Sequence, residues 1–264
     1  MSLCITTVVN KLYQRYIPIF LYFCIKSYPE YNVKIFLTEN LLPKYKAQLE
    51  LLDKIGNFDI IEQAFNSFPK TNQELKTLRW IIIPDMFEGY DNIYIGDIDI
   101  LICKEAQSLE DQHIEHCENN GLPYSNSVRP NSKRLSGLHF IKKETYYDKT
   151  LIFIEKYTEK LRKGELHDVK NEDTLYNIIK ESGLGFPKNW FRPHHGLHLG
   201  LWRKGFRKIE QRYWDVIDRN AYKQYYDYYL ELKSKSDSLF KKVTNFSEII
   251  FMEKSLNKEF KYIN

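Results

Sequence analysis

The sequence predicts an α/β/α sandwich around a mostly parallel sheet, followed by a helical C-terminal extension. Three observations carry this. Short apolar runs at 3–9, 33–37, 58–61 and 92–95 alternate with segments of helical period, the pattern of strands joined by crossover helices. Neither an internal repeat nor a low-complexity linker interrupts them. From Arg203 onward the pattern becomes charged, aromatic and mostly helical.

The elements follow in order. LCITTVV, residues 3–9, is rich in β-branched residues and reads as a buried strand ended by Asn10. Residues 11–26 read as a helix bent near Pro18. Its apolar run YIPIFLYFCI is shorter than the roughly 18–20 residues needed to cross a bilayer, and it lacks a signal-peptide layout. A strand at 33–37 precedes a helix at 41–55, with Pro43 near its first turn. The strand at 58–61 leads to a helix over 73–83, stopped by Pro84. The strand at 92–95 runs straight into Gly96-Asp97-Ile98-Asp99. Residues 104–134 read as a polar insertion carrying Tyr124, Arg129 and Arg134. Beyond it come a strand at 135–141 and helices at 144–162 and 172–181.

The chain has 264 residues, which fits one main domain, 1–204, with an appendage, 205–264, better than two full domains. A formal net charge of +4 is too small to imply nucleic-acid binding. A local basic run, Arg203, Lys204, Arg207, Lys208 and Arg212 against Glu210, suits phosphates, an anionic membrane surface or simply a solvated helix face. Cys4, Cys24, Cys103 and Cys117 show no CxxC spacing. They read as buried free thiols of a reducing, cytoplasmic compartment rather than a thiolate metal site. Tyr222, Tyr225, Tyr226 and Tyr229 are spaced for one helix face. Such a stripe serves packing or a homodimer contact more often than peripheral contact with a membrane.

The strongest chemical signal is IYIGDIDILI, residues 93–102. On an extended chain Asp97 and Asp99 point to the same side. Two close, uncompensated carboxylates repel, and burial raises the cost. A hard divalent cation, Mn²⁺ or Mg²⁺, relieves that repulsion and takes substrate phosphates as further ligands.

The segment LKTLRWIIIPDMFEGYDNIYIGDIDILI, residues 75–102, resembles the core of GT-A-fold, Rossmann-like glycosyltransferases. The likeness is strongest to the branch of bacterial lipopolysaccharide galactosyltransferases and glycogenin. The resemblance implies that Asp97 and Asp99 hold the metal and that Lys76 and Arg79 contact the nucleotide. It extends over about residues 3–204. Thr7, Asn10 and Tyr13 fall where the family holds the nucleobase. Ser136-Gly137 is similar to the small-residue loop beside the sugar, where glycine permits close backbone approach. Glu172-Asp173 resembles the family's acidic motif at a helix start, and Asp173 is the implied base of an inverting transfer. HHGLHLGLWRK, residues 194–204, resembles the histidine segment that completes the metal site. Either His195 or His198 could be the ligand. The order Gly200, Trp202, Lys204 favours His198 and leaves His195 and Lys204 toward the donor.

The implied activity is metal-dependent transfer of a hexose, galactose or glucose, from a UDP-sugar. The implied acceptor is a hydroxyl of a glycan or lipid-linked oligosaccharide in surface-polysaccharide synthesis, on the cytoplasmic side of the membrane. Two rivals stand beside it. A sugar-nucleotidyltransferase would carry a Gly-rich basic loop after the first strand, which TTVVNKLYQRY lacks. A non-catalytic glycan-binding scaffold would not need the assembled carboxylates and histidines.

Overall fold

The computed structural model describes residues 2–68, 71–166, 169–188, 192–206, 218–235 and 238–262. Four strands form the parallel part of the main sheet: β1 (Leu3–Val9), β2 (Asn32–Leu37), β3 (Phe58–Ile61) and β4 (Asn92–Ile95). β1 lies between β2 and β4, with Thr7 opposite Ile35 and Thr6 opposite Ile95. A separate two-stranded ribbon pairs β5 (Ile100–Ile102) with a late strand. Two more strands, β6 (Tyr124–Ser125) and β7 (His139–Lys142), extend the main sheet antiparallel, giving the order β3-β2-β1-β4-β7-β6. The fold is therefore α/β with a mostly parallel sheet, as the alternating pattern predicts.

The ribbon's second strand is β8 (Gly196–His198), antiparallel to β5 with His198 opposite Ile100. A Cβ on Gly196 would lie 1.9 Å from the Leu101 carbonyl oxygen. Only glycine lets the two backbones approach this closely. The pairing carries the chain from β8 back beside the end of β4, and the Leu199 amide donates to the Asp99 carbonyl at 2.8 Å.

Helices cover both faces. α1 (Ile17–Ser27) is buried almost all round, as a helix must be when it has neighbours on two sides. Those neighbours are the sheet and the C-terminal helices α7 (Arg219–Ser234), α8 (Ser238–Val243) and α9 (Ser247–Phe260), which share one apolar core with it. Between them in sequence come α2 (Lys46–Asp53), α3 (Asn72–Thr77), α4 (Leu109–Asn120), α5 (Lys143–Arg162) and α6 (Asn171–Ser182). α5 and α6 pack in the other core with Trp80, Ile93 and Ile141. Tyr222, Tyr225, Tyr226 and Tyr229 are all buried inside the chain. The stripe is thus internal packing and offers no surface to a second copy or a membrane.

Several boundaries differ from the sequence expectation. α1 begins at Ile17 instead of residue 11, and Pro18 sits in its first turn, where a missing N–H breaks no intrahelical bond, so no bend results. Pro43 opens a 3₁₀ turn, and α2 starts only at Lys46. The helix expected over 73–83 ends at Thr77 and continues as a 3₁₀ turn, Leu78–Trp80. The strand expected from residue 135 begins at His139, Leu135 making only a single bridge to Val128. The polar insertion contains a full helix, α4, whose amide of Asp111 is capped by Ser108 at 3.1 Å and whose end is turned by Gly121 at φ +64°.

The four cysteines are free and buried. Among the described residues no helix is long and apolar enough to cross a membrane. Arg207, Lys208, Glu210 and Arg212 of the basic run lie outside the described residues.

Candidate functional site

A cleft of about 280 Å³ opens at the C-terminal ends of β1 and β4, where open α/β sheets place their ligands. Its walls come from five places in the chain. The end of β1 and the turn after it supply Thr7, Asn10 and Tyr13. Lys76 and Arg79 come from α3 and the turn that follows. The β4–β5 connection supplies Asp97 and Asp99, the start of α6 supplies Asn171 and Glu172, and the end of β8 with the turn after it supplies His198 and Arg203. A larger groove of about 1110 Å³ lies at the other end of β4, beside Asn92 and Lys143, away from these groups.

The two aspartates do not share one face of a strand. β4 stops at Ile95 and β5 starts at Ile100, and between them the chain turns, with the Ile100 amide donating to the Asp97 carbonyl at 3.3 Å. The carboxylates therefore take different partners. Asp97 forms an ion pair with Arg79, whose guanidinium also lies over the Trp80 ring at 4.4 Å. Asp99 is 2% exposed. It faces His198 Nε2 at 3.3 Å and is ion-paired to Arg203.

Burial alone would raise the Asp99 pKa, but His198 and Arg203 outweigh it and hold the carboxyl at about 2. The same contact works in reverse on His198: burial favours the neutral ring, yet Asp99 raises its pKa above the usual value. Arg203 also donates to the Tyr13 hydroxyl at 2.8 Å and lies 4.8 Å over that ring.

Two glycines make these contacts sterically feasible. A Cβ on Gly137 would stand 3.1 Å from Asp97 Oδ2 and 3.3 Å from an Arg79 nitrogen. A Cβ on Gly200 would stand 2.6 Å from His198 Nε2 and 2.7 Å from Asp99 Oδ2. Ser136 turns inward instead, its hydroxyl donating to the Leu138 carbonyl at 3.1 Å, so its part is to shape the loop that presents Gly137.

Other sequence-predicted residues lie elsewhere. His195 is fully buried, with Nδ1 on Glu105 at 2.5 Å and Nε2 on His113 Nε2 at 3.1 Å. Both ring nitrogens are engaged inside the core, so the expectation that His195 meets the donor gives way to a structural role. The His194 carbonyl accepts from the Tyr225 hydroxyl. Lys204 is exposed and outside the cleft wall, and its neighbour Arg203 takes the position expected for it. Glu172 lines the cleft and meets Arg129 and, at 3.7 Å, Arg134. Asp173 is half-buried one residue further along α6, outside the cleft lining. Sequence reasoning missed Arg203 and Asn171 as wall residues. The signals for Arg203 were its place in the basic run and in the LWRK sequence, where Lys204 was an equally plausible cation.

Among the described residues no three His, Cys, Asp or Glu side chains gather as a metal site. Two of the three anticipated donors, Asp99 and His198, do converge, and Asp97 is engaged by Arg79. The mixed oxygen and nitrogen pair, beside a glycine whose Cβ would fill the space, fits a divalent ion completed by ligand oxygens. Lys76, Arg79, Arg203 and His198 around this point also form a wall suited to a phosphate-bearing ligand.

The fold and cleft together define an α/β protein with a cleft lined by cations and carboxylates at its strand ends. No described protein family matches the sequence, and no curated protein matches it in sequence. Structural comparison finds the apo form of the glycosyltransferase GlyE of Streptococcus pneumoniae at 13% identity and a TM-score of 0.46, covering 69% of this chain and 44% of that one. It also finds the galactosyltransferase LgtC in complex with donor and acceptor sugar analogues, at 13% identity and 0.39, covering 69% and 70%. TarS of S. aureus follows at 14% and 0.39, covering 56% and 49%. The chain thus spans less than half the length of GlyE, and likenesses at these scores carry no weight for its activity.

Proposed function

We propose that the protein is a glycosyltransferase that moves a sugar from a nucleoside diphosphate donor, a UDP-hexose, to a hydroxyl of a glycan or lipid-linked oligosaccharide. The observation that carries this reading is the junction of Asp97 and Asp99 with Arg79, Arg203 and His198 at the strand ends.

The base stacks on Tyr13 while Thr7 and Asn10 read its edge. The diphosphate lies toward Lys76, Arg79 and Arg203, whose ion pairs with the aspartates are exchanged in part for charge-assisted bonds to phosphate. Gly137 leaves room for the sugar. Mn²⁺ or Mg²⁺, held by Asp99 and His198 with Asp97 close by, would supply neutralisation of charge on the leaving diphosphate. In the transfer the acceptor oxygen bonds to the anomeric carbon, the carbon–phosphate oxygen bond breaks, and the nucleoside diphosphate keeps the electron pair. The hydroxyl proton goes to a carboxylate, a contribution of about 10²–10⁴ in rate. Glu172 is engaged by two guanidiniums; the base proposed for an inverting transfer is its neighbour Asp173 at the start of α6, which stands outside the cleft lining, so the acceptor hydroxyl must meet it at the rim.

Incubation with a panel of nucleotide sugars tests this. Free nucleoside diphosphate with a glycosylated acceptor is expected, together with loss of turnover on chelation and its return with Mn²⁺ or Mg²⁺. Pyrophosphate release from a nucleoside triphosphate and a sugar 1-phosphate, in place of sugar transfer, would mean nucleotidyl transfer instead. Full activity after thorough chelation would remove the metal from the scheme.

A further inference from the structure

Residues 128–135 form a hairpin beside the cleft. The Arg129 amide donates to the Arg134 carbonyl at 2.8 Å, Val128 bridges Leu135, and the Ser132 hydroxyl donates to the Arg129 carbonyl at 2.9 Å. Its base is equally fixed. Asn126 Oδ1 accepts from the amides of Ser127 and Ser136 at 2.6 and 2.9 Å, and Gly137 follows against Asp97. The chain leaving the hairpin thus reaches Asp97, and the hairpin's own arginines reach Glu172.

The charge on this hairpin is one-sided. VRPNSKRL carries Arg129, Lys133 and Arg134 and no acid. Both arginines converge on one carboxylate, Glu172, which is itself a cleft residue. Across the cleft Arg79 pairs with Asp97, and Arg203 and His198 share Asp99. The hairpin therefore leaves two positive charges without a partner on the hairpin or at Glu172. The arginine side chains stay 43% and 32% exposed while Glu172 is 14% exposed. Each guanidinium has five N–H donors in a planar fork, so contact with Glu172 leaves most of them free for a second anion.

We infer that this hairpin is the acceptor-binding wall and that the acceptor is anionic, carrying a phosphate or carboxylate that Arg129 and Arg134 hold while its hydroxyl faces the cleft. The inference rests on the sugar-transfer reading and names the acceptor's chemistry. Glu172 aligns the two forks, which is why a carboxylate belongs in a site for anions. Charge-assisted contacts of this kind contribute about 1.5–3 kcal/mol, or roughly tenfold to a hundredfold in affinity.

The test uses the full chain on immobilised oligosaccharides that share one backbone and are neutral, uronate-bearing or phosphorylated. At least roughly tenfold stronger retention of an anionic form is expected, and which of the two is retained identifies the group. The double variant R129Q/R134Q should lose the preference, and R129K/R134K should recover part of it because the charge remains. Thermal melting within a few degrees of the native chain shows that both variants fold. Equal retention of neutral and anionic glycans, retention of none, or a preference that survives R129Q/R134Q would overturn the inference. Binding of UDP-sugar by the native chain is measured in parallel. Its absence overturns the sugar-transfer reading, whereas donor binding without anion preference removes only the anionic acceptor.

Discussion

Gly200→Ala is the sharpest probe of the cleft, because the added atom lands where His198 and Asp99 meet. The new Cβ would stand 2.6 Å from His198 Nε2 and 2.7 Å from Asp99 Oδ2, against 3.4 Å for an ordinary contact. His198 must therefore retreat by about 0.8 Å and Asp99 by about 0.7 Å. Each is the end of a side chain, so the backbone need not move. The expected stability cost sits at the low end for overpacking, about 1 kcal/mol. Function should suffer far more, since a displacement near 1 Å at reacting groups costs on the order of 10²-fold. Nucleoside diphosphate release coupled to sugar transfer gives the rate, and a thermal melt gives the stability. Gly196→Ala is the matched contrast. Its Cβ would sit 1.9 Å from a backbone oxygen of β5, which cannot swing away, so that variant should lose folded protein instead of turnover. A G200A enzyme with turnover within about threefold of native would refute the view that the Asp99–His198 contact is part of the working site.

Three further outcomes are expected. His139 is fully buried, and burial pushes its pKa down to about 3, with His113 shifted in the same direction. Below an ordinary pKa near 6.5 the unfolded chain takes up protons that the native ring refuses, so this stability is complete above that pH and shrinks as pH falls toward 3. For His139 alone the loss is about 2–3 kcal/mol by pH 4.5, and urea midpoints that stay level between pH 7.5 and 4.5 would contradict it. Buried Glu248 accepts from the Tyr16 hydroxyl at 2.8 Å and pairs with Arg15, so Glu248→Ala should cost about 1–3 kcal/mol in denaturant unfolding, and an unchanged midpoint would show the link to be idle. Asp173→Asn should lower kcat strongly with donor affinity kept within a few-fold, while Glu172→Gln should act mainly on acceptor KM; an α-linked product from an α-linked donor, read by NMR, would exclude inversion and with it the assigned base.

Strand–helix alternation in the first hundred or so residues was readable because each buried strand repeats the same chemistry: β-branched apolar residues bounded by polar or turn-forming ones. Three strands, Leu3–Val9, Phe58–Ile61 and Asn92–Ile95, fall where the pattern puts them. α4 was hidden because LEDQHIEHCENN has a weak apolar stripe, and its signals were the Ser108 cap and Gly121. β5 and β8 were also hidden. Each is three residues long, and short apolar runs carry no period. Asp97 and Asp99 were legible because carboxylates inside an apolar run are costly and therefore conspicuous, whereas Thr7, Asn10, Tyr13, Lys76, Arg79 and His198, which also line the cleft, were picked out through the family resemblance.

The sequence by itself determined the parallel sheet, the position of the aspartates at a strand end, and the presence of cations and a histidine able to meet phosphate. Tertiary structure alone decided how those groups pair. The turn after β4 sends Asp97 to Arg79 and Asp99 to His198 and Arg203. The β5–β8 ribbon puts His198 in the cleft and buries His195 against Glu105. The tyrosines of α7 close on α1 and leave no stripe outside. The reason is that periodicity reports which residues share one element's face, whereas ion pairs and burial depend on contacts between elements 18 to 104 residues apart, which only the packed chain creates.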